Sequence, residues 1–443
     1  MKPLLSQVER AALYLSPIAL LAAVAGFAGG ATAVGQWAAA AACFALAVGI
    51  GSVESLRTFR FTAWLAAAVA LALVYPPAFQ PFEPGSDAYK VMLLVLIQAV
   101  MFGMGTQISL SDFAGVARQP WPVAVGLVCQ FSIMPLVGFA LARVFRLPPE
   151  IGAGMVLIGA CSSGLSSNVM AYLARANLAL SITMTAVATM LAPIMTPMWI
   201  RLLAGDAVGD NAGSGSFLGM MSTIIKIVIV PIGAALIHDY LRSARGSGKA
   251  IVYTAAAAGG AGVLFASLGG WAWIAAQTSE AGVVWAQLVL FLLGGVTFGV
   301  LYHHAAGLFG WLDNAMPAVS MIGICYVTGM TSAAGRDNLM VVGLSLCVAA
   351  ALHNLLGYVL GYWLSRALGL DRSSARTVAF EVGLQNGGVA TGLAASMGKL
   401  GTLGLPAAFF IAWMNVSGSL LANYWRRRPV LDESQPESIE QAA

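Results

Sequence analysis

Charge is scarce in this sequence. Asp, Glu, Lys and Arg together make up 9% of the 443 residues, whereas hydrophobic residues make up 59%. A soluble domain is about 25% charged, so the composition excludes an ordinary soluble protein. Apolar runs of about 18 or more residues recur along the chain, each long enough to cross a bilayer core of roughly 30 Å. The composition therefore predicts an all-α polytopic membrane protein in a lipid bilayer.

The chemistry of several other protein classes is missing as well. The five cysteines lie inside apolar runs without CxxC spacing, which indicates small buried residues rather than a metal or redox centre. No basic stripe with interleaved aromatic residues is present, so we expect no nucleic-acid partner. We find no nucleophile–base pair and no metal-ligand spacing, and we therefore predict that the protein is not an enzyme.

The apolar runs divide the chain into about fourteen predicted membrane spans. They are residues 11–30, 34–53, 61–76, 89–105, 121–144, 151–173, 178–203, 217–241, 251–275, 283–303, 316–330, 339–368, 375–396 and 403–424. The first run is long for a signal peptide, so we interpret it as an uncleaved span. A polar loop at 205–215 divides the two halves of the chain.

The basic residues predict the orientation. An even number of spans places both termini on one side, and most Lys and Arg residues fall in the loops of that side. The other set of loops holds Arg143, Arg146, Arg201, Arg336 and Lys399. The positive-inside rule then predicts a multi-pass protein of the inner (plasma) membrane with both termini in the cytoplasm.

One polar stretch interrupts the thirteenth predicted span. Residues 380–388 read Phe-Glu-Val-Gly-Leu-Gln-Asn-Gly-Gly. An ionised Glu381 in hydrocarbon costs roughly 2.5–3.5 kcal/mol or more, and each glycine costs a helix about 1 kcal/mol relative to alanine. Such a segment is tolerated at membrane depth where it lines a cavity or a protein interior. We therefore predict a broken helix around an ion or substrate site.

A second interruption lies in the first half of the chain. Residues 161–168 read Cys-Ser-Ser-Gly-Leu-Ser-Ser-Asn, and the segments that precede the two interruptions, Pro135–Leu141 and Asn354–Leu360, are similar. Repeats of five spans insert with opposite topology. Glycine-interrupted segments at matching places in two halves are the best sequence indication of a transporter's midplane site. We predict that both interruptions contribute to such a site.

Oxygen donors cluster around both interruptions. Ser181 and Thr185 lie one turn apart and share a helix face, and Gln130 belongs to the preceding span. Together with Glu381 they form a set of hard oxygen ligands with one negative charge, which fits an alkali cation better than a transition metal. Half-helix N-termini at the interruptions favour an anionic substrate.

Other polar residues receive structural interpretations. Ser162, Ser163 and Ser166 are interpreted as helix back-bonding or helix-packing residues. We expect an interhelical hydrogen bond from His353–Asn354. Lys226 is expected to snorkel or to pair, and we assign it no function.

Six stretches of the sequence carry a resemblance to a known family. They are Met101–Thr106, Cys129–Pro135, Ser167–Ser181, Leu352–Tyr358, Glu381–Asn386 and Ser417–Trp425. In this order they resemble the bile acid:sodium symporter family. The resemblance implies two inverted five-helix repeats that form a core domain and a panel domain with two crossing discontinuous helices. The length of this chain adds about four transmembrane helices to that fold.

The resemblance also implies two sodium sites and a substrate cavity. One sodium site would use Ser167, Asn168, Ser181, Thr185 and Glu381. The other would use Gln130, Glu381, Gln385 and the carbonyl groups of Val382 and Leu384. The cavity would be lined by Leu165, Asn168, Asn386 and Met414. Leu165 and Met414 stand where the family has threonine and histidine, so two polar contacts are lost and the bile acid does not carry over as the substrate.

These observations predict an organisation in six segments. They are an extra N-terminal helix pair at 1–57, the first repeat at 58–203, a loop with the first helix of the second repeat at 204–250, an inserted helix pair at 251–312, the rest of the second repeat at 313–428 and a disordered cytoplasmic tail at 429–443.

The predicted function is symport of sodium with a small organic anion by alternating access. A sodium-independent carrier with the same fold and a non-transporting membrane sensor remain open. The resemblance implies two sodium ions as cosubstrates, while the substrate, the oligomeric state and the role of the added helices stay open.

Overall fold

The computed structural model describes residues 2–83, 85–209, 216–428 and 430, and this part of the chain is helical without strands. We number the main helices α1 (Lys2–Ala28), α2 (Thr32–Gly49), α3 (Arg60–Val74), α4 (Asp87–Gly105), α5 (Pro120–Val144), α6 (Pro149–Ala160), α7 (Leu165–Leu173), α8 (Leu178–Val208), α9 (Phe217–Ser243), α10 (Ser247–Gln277), α11 (Glu280–Leu308), α12 (Leu312–Ala334), α13 (Arg336–Ala367), α14 (Arg372–Gly383), α15 (Gly387–Ser396) and α16 (Leu405–Arg426). The predicted all-α polytopic class is confirmed, since eleven helices in the described residues are long and apolar enough to cross a membrane.

The predicted spans coincide with these helices. The remaining candidate crossings are the short helix α3 and the end-to-end pairs α6–α7 and α14–α15. Both pairs are interrupted where the sequence predicts a broken helix. The count of about fourteen crossings and the inverted orientation of the repeats stay predictions.

The loop predicted at 205–215 begins too early. Helix α8 continues through Gly205 to Val208, where the buried side chains of Ala204 and Val208 hold its last turns in place. The helix ends at Gly209, whose φ of +87° is a left-handed conformation that favours glycine. Residues 210–215 and the predicted tail, apart from Val430, lie outside the described residues.

Two groups of helices form the body of the protein. In the first group, α5–α8 pack against α13–α16. In the second group, α3, α4, α9 and α12 pack against one another. We call these the core bundle and the panel bundle. Both broken helices, α6–α7 and α14–α15, belong to the core bundle. Helix α15 packs on α4 of the panel bundle, and α8 packs on the beginning of α9.

Of the four helices predicted as additions to the fold, α2 and α11 pack on the panel bundle, and α10 packs on α11. Helix α1 packs on α2, and α2 packs on α3. A Cβ atom at Gly49 of α2 would collide with the backbone nitrogen of Leu13. Helix α11 approaches α9 equally closely, because a Cβ at Gly299 would lie 2.5 Å from the carbonyl oxygen of Ala234. Such close backbone approach is typical of helix packing in membranes.

Candidate functional site

The two interruptions meet in the centre of the core bundle. Ser163 and Gln385 form an isolated antiparallel bridge. The amide of Gly164 donates to the carbonyl of Leu384 at 3.3 Å, and the amide of Asn386 donates to the carbonyl of Ser162 at 2.8 Å. Backbone groups that lack helical partners are thus satisfied by the other broken helix. Unwound backbone at membrane depth requires such partners.

The sequence around each interruption explains where the helices stop and restart. Helix α14 ends at Gly383, whose carbonyl oxygen accepts a hydrogen bond of 2.8 Å from the side-chain amide of Asn354 on α13. Helix α15 begins after Asn386, whose Oδ1 accepts from the amide of Val389 at 3.3 Å as an N-cap. The first interruption is shorter than predicted. Ser166–Asn168 belong to α7, because the backbone turns helical immediately after the extended Gly164.

The side chain of Glu381 lies at the centre of an oxygen-rich group. Glu381 is fully buried. Its Oε1 accepts from Ser181 Oγ at 2.5 Å, and Thr185 Oγ1 lies 3.2 Å from Oε1 and 3.0 Å from Oε2. Ser163 Oγ also donates to Oε2. Helices α8 and α14 and the first interruption thus bring three hydroxyl groups to one carboxylate.

Asn168 and Ser167 complete this group, which we call the carboxylate cluster. Asn168 Oδ1 accepts from Ser181 Oγ at 2.8 Å and lies 3.2 Å from Thr185 Oγ1. Ser167 Oγ lies 3.4 Å from Thr185 Oγ1 and donates to the carbonyl of Gly164 at 2.7 Å. All five residues predicted for the first sodium site therefore lie together. The carboxylate cluster comprises Ser163, Ser167, Asn168, Ser181, Thr185 and Glu381.

A second group, the amide cluster, is formed by Gln130, Gln385 and the carbonyls of Cys161 and Val382. Gln130 Nε2 donates to the Cys161 carbonyl at 3.0 Å and to Gln385 Oε1 at 2.9 Å. Gln385 Nε2 donates to the Val382 carbonyl at 2.6 Å. The Oε1 atom of Gln130 is buried and has no hydrogen-bond donor among the described residues. An orphaned buried oxygen is costly unless a donor or a cation reaches it.

The amide cluster contains most of the second predicted ligand set. Gln130, Gln385 and the Val382 carbonyl are hydrogen-bonded within it. The Leu384 carbonyl accepts a hydrogen bond from the amide of Gly164 at the place where the two interruptions meet, which we call the crossover. Glu381 is not bonded to Gln130 or Gln385, because all its hydrogen bonds go to the carboxylate cluster. A carbonyl oxygen has two lone pairs, so those that already accept one bond can still contact a cation.

Both clusters have the chemistry of a site for a hard cation. Their candidate ligands are carboxylate, hydroxyl, amide and carbonyl oxygens. Within the described ranges, no three His, Cys, Asp or Glu side chains come together in a way that could hold a metal ion. Oxygen-only groups of this kind suit alkali and alkaline-earth cations rather than zinc or copper.

The four residues predicted for the substrate cavity belong to three helices of the core bundle: α7, α15, which Asn386 caps, and α16. Leu165 is half-buried at the start of α7, and Met414 is buried on α16. Their sequence neighbours are linked, since Ser166 Oγ donates to Asn415 Oδ1 at 3.3 Å. Asn168 belongs to the carboxylate cluster, whereas Asn386 caps α15. That these four residues line one cavity stays a prediction.

Sequence reasoning missed one member of the site. Ser163 was interpreted as a packing residue, yet its hydroxyl group is bonded to Glu381. Ser163 lies inside an interruption, where its hydroxyl group is not expected to donate to a backbone carbonyl of its own helix. This position is the signal that could have identified it. The interhelical hydrogen bonds predicted for His353–Asn354 are confirmed, since His353 Nε2 lies 2.8 Å from the Met134 carbonyl and Asn354 bonds to Gly383.

Comparison with known proteins identifies the family. The model of the Sodium Bile acid symporter family matches residues 93–258. The uncharacterized sodium-dependent transporter YocS of Bacillus subtilis is 32% identical over 337 residues, which cover 76% of this chain and 83% of that protein. A probable chloroplastic sodium/metabolite cotransporter, BASS1, of Oryza sativa subsp. japonica is 28% identical over 87% of this chain and 76% of its own length.

A human relative has the same percentage identity as BASS1 but aligns with a shorter part of this chain. The ileal sodium/bile acid cotransporter of Homo sapiens is 28% identical over 302 residues, or 68% of each chain. These relatives are transporters rather than enzymes, and the residues that the family model matches include the first interruption. The chain therefore belongs to the sodium bile acid symporter family.

Proposed function

We propose that this protein is a sodium-coupled symporter that imports a small organic anion by alternating access. The observation that carries the proposal is the environment of Glu381. The carboxylate is fully buried, and its partners are the neutral hydroxyls of Ser163, Ser181 and Thr185. Within the described residues, no Lys, Arg or His side chain pairs with it. A buried charge without a counter-ion is costly, and sodium would supply that counter-charge.

The amide cluster supports a second sodium ion. The unpartnered Oε1 of Gln130 and the carbonyls of Val382 and Leu384 lie at the same crossover and carry no net charge. In this proposal the first ion lies among Ser167, Asn168, Ser181, Thr185 and Glu381. The second ion lies among Gln130, Gln385, the two carbonyls and Glu381, whose carboxylate is shared.

The same crossover supports an anionic substrate. Helices α7 and α15 both begin there, at Leu165 and Gly387, and helix N-termini carry partial positive charge. Leu165, Asn168, Asn386 and Met414 are the proposed substrate contacts. Movement of the core bundle against the panel bundle would expose them alternately to the two sides of the plasma membrane, with both termini in the cytoplasm.

Sodium and substrate binding are expected to reinforce one another. Sodium orders the two interruptions and so raises the affinity for the anion, and the anion must then raise the affinity for sodium by the same factor. We expect the purified protein to unfold at a higher temperature in NaCl than in KCl of equal concentration. Small carboxylates and sulfonates that stabilise it further in NaCl are then tested for uptake into vesicles.

Replacement of sodium by potassium in that uptake assay decides the proposal. Sodium-dependent accumulation is expected for a symporter. Equal uptake in both salts would identify a sodium-independent carrier, and sodium-dependent binding without flux would identify a membrane sensor. Either outcome contradicts symport.

A further inference from the structure

A cavity lies between the core bundle and the panel bundle, near the beginning of α4 and α9. It has a volume of about 760 Å³. Its walls include Leu93 and Ile97 of α4, Ile227 of α9 and Gly392 of α15. The rim includes Lys90, which is exposed, so the cavity reaches the surface of the protein.

This cavity leads towards the crossover. A much smaller cavity of about 10 Å³ shares Ile97 with it and is lined by Gly388 and Thr391 of α15 and by Ile411 of α16. Gly388 follows the second interruption by only two residues. Ile97 therefore stands between a wide cavity open to the surface and the place where α15 begins.

Lys226 lines the wide cavity from within the membrane-spanning part of α9. It lies nine residues after Phe217, which places it about 14 Å along the helix axis at 1.5 Å per residue. Its ammonium donates to Gln287 Oε1 of α11 at 2.8 Å and lies 5.6 Å from the centre of the Phe291 ring. An ammonium group has three N–H donors, so two remain for a further partner.

The local backbone is also unusual. Residues Ile225–Ile229 form a π-helical turn inside α9. Pro231 follows and has no backbone N–H to donate to the carbonyl of Ile227, which disturbs the regular helical pattern. Gln98 of α4 donates to the carbonyl of Lys226 at 3.0 Å and fixes this turn against the panel. Such π-turns occur frequently at functional sites.

The charges around the cavity single out Lys226. Lys90 pairs with Asp87 at 3.3 Å, and Lys399 pairs with Glu150 at 2.8 Å. Lys226, in contrast, has only a neutral hydrogen-bond partner among the described residues. A partly buried cation at membrane depth without a carboxylate is costly and points to a functional role.

We propose that Lys226 is the first residue to bind the anionic group of the transported substrate, in this cavity and before the substrate reaches the crossover, and that the substrate is an organic monoanion with an apolar body. One ammonium matches one negative charge, and the apolar walls formed by Leu93, Ile97 and Ile227 match an apolar body. Gln287 is a positioning residue that holds the ammonium. This gives the inserted helix α11 a part in substrate recognition. The inference rests on the proposed function of the crossover.

The test compares charged and neutral molecules of the same shape. Benzoate and octanoate are titrated against benzamide and octanamide, using thermal unfolding of the full-length purified protein in NaCl. Stabilisation by a carboxylate but not by its amide is expected. In Lys226→Gln, the half-maximal carboxylate concentration should rise roughly 10-fold to 100-fold, which corresponds to the loss of one charged hydrogen bond. Lys226→Arg should stay within a few-fold of the wild type.

Two further variants separate recognition from folding. Lys249→Gln makes the same chemical change at a lysine of α10 that does not line this cavity, and it should bind as the wild type does. Gln287→Leu should reduce the discrimination between benzoate and benzamide, an effect that a purely structural glutamine would not have. Lys226→Gln should fold at least as stably as the wild type without ligand, because it removes a cation that lacks a counter-ion.

The outcomes for this proposal and for sodium coupling are distinct. Wild-type carboxylate binding in Lys226→Gln would overturn the role of Lys226 and leave sodium coupling intact. The absence of stabilisation by every carboxylate in the wild type would also overturn it. A wild-type protein that responds equally to NaCl and KCl would instead contradict the proposed sodium coupling, whatever its response to carboxylates.

Discussion

The carboxylate cluster and the amide cluster are built at the same crossover from different chemistry. In the carboxylate cluster every hydroxyl group has a partner, but the negative charge of Glu381 has no counter-ion among the described residues. In the amide cluster the charge is zero, but one oxygen, Gln130 Oε1, has no hydrogen-bond donor in the part of the chain that the structure describes. The carboxylate cluster thus lacks a positive charge, whereas the amide cluster lacks one hydrogen-bond donor.

This difference predicts different effects of the same cation. In the carboxylate cluster a cation neutralises a buried charge, and the Coulomb energy in a low-dielectric interior is large. In the amide cluster it replaces a missing hydrogen bond, which is a smaller contribution. The effects of substitutions on sodium binding should therefore differ in size between the two clusters. The loss of a single hydroxyl ligand should have the smallest effect.

The largest effect is expected for Glu381→Gln. The substitution keeps the shape of the side chain and removes the charge, so the protein should still fold. At a sodium concentration about 100 times the dissociation constant, sodium stabilises the wild type by about 2.7 kcal/mol. We expect this stabilisation to fall to near zero in thermal unfolding measured in NaCl and in KCl.

Glu54→Gln is the matched control for this experiment. Glu54 is exposed and lies outside the crossover, so the same chemical change should leave the sodium response intact. A full sodium response in Glu381→Gln would mean that the carboxylate is structural and that the two clusters do not differ in the proposed way.

An intermediate effect is expected for Gln130→Met. The carbonyl of Cys161 and Oε1 of Gln385 lose their donor, so the free energy of unfolding should fall by about 1–3 kcal/mol. If the amide cluster holds the second ion, the sodium titration should also become less steep, with a Hill coefficient close to one. The exposed residue Gln107 provides the control substitution Gln107→Met. An unchanged steepness would place no ion at the amide cluster.

Much of this site could be predicted from the sequence. The carboxylate and the glycines at 380–388 are so unfavourable in a membrane helix that they identified the second interruption by themselves, and the serines at 162–167 identified the first. The spacing of Ser181 and Thr185 placed both hydroxyls on the face that reaches Glu381. These predictions succeeded because each depends on local helix chemistry.

Other features depend on which helix packs beside which. The sequence places Ser163 near a glycine but does not reveal that its hydroxyl group reaches a carboxylate more than two hundred residues away. Lys226 was given no function because its isolation from any carboxylate follows from the positions of α4, α11 and α15. The end of α8 was placed too early, because buried contacts of Ala204 and Val208 outweigh the weak helix propensity of Gly205.

The smallest effect is expected for Thr185→Val, which removes one neutral ligand of the carboxylate cluster. Ser163 and Ser181 remain bonded to Glu381, so the loss should be about 0.5–1.5 kcal/mol, or roughly a 2-fold to 10-fold weaker affinity for sodium. Thr189→Val is the matched control one turn further along α8. Its hydroxyl donates to the carbonyl of Thr185 at 2.7 Å rather than to Glu381.

Sodium titrations of the two threonine variants decide whether a single hydroxyl matters to the ion. Thr189→Val should require the same half-maximal sodium concentration as the wild type within about twofold, because its hydroxyl bonds to its own helix and, at 3.4 Å, to Ser162 Oγ rather than to Glu381. Equal shifts in both variants would mean that α8 responds as a whole to either substitution. A shift confined to Thr185→Val supports direct contact between the Thr185 hydroxyl and sodium. We expect this contact because Thr185 Oγ1 lies within hydrogen-bond distance of both oxygens of Glu381 and of Asn168 Oδ1.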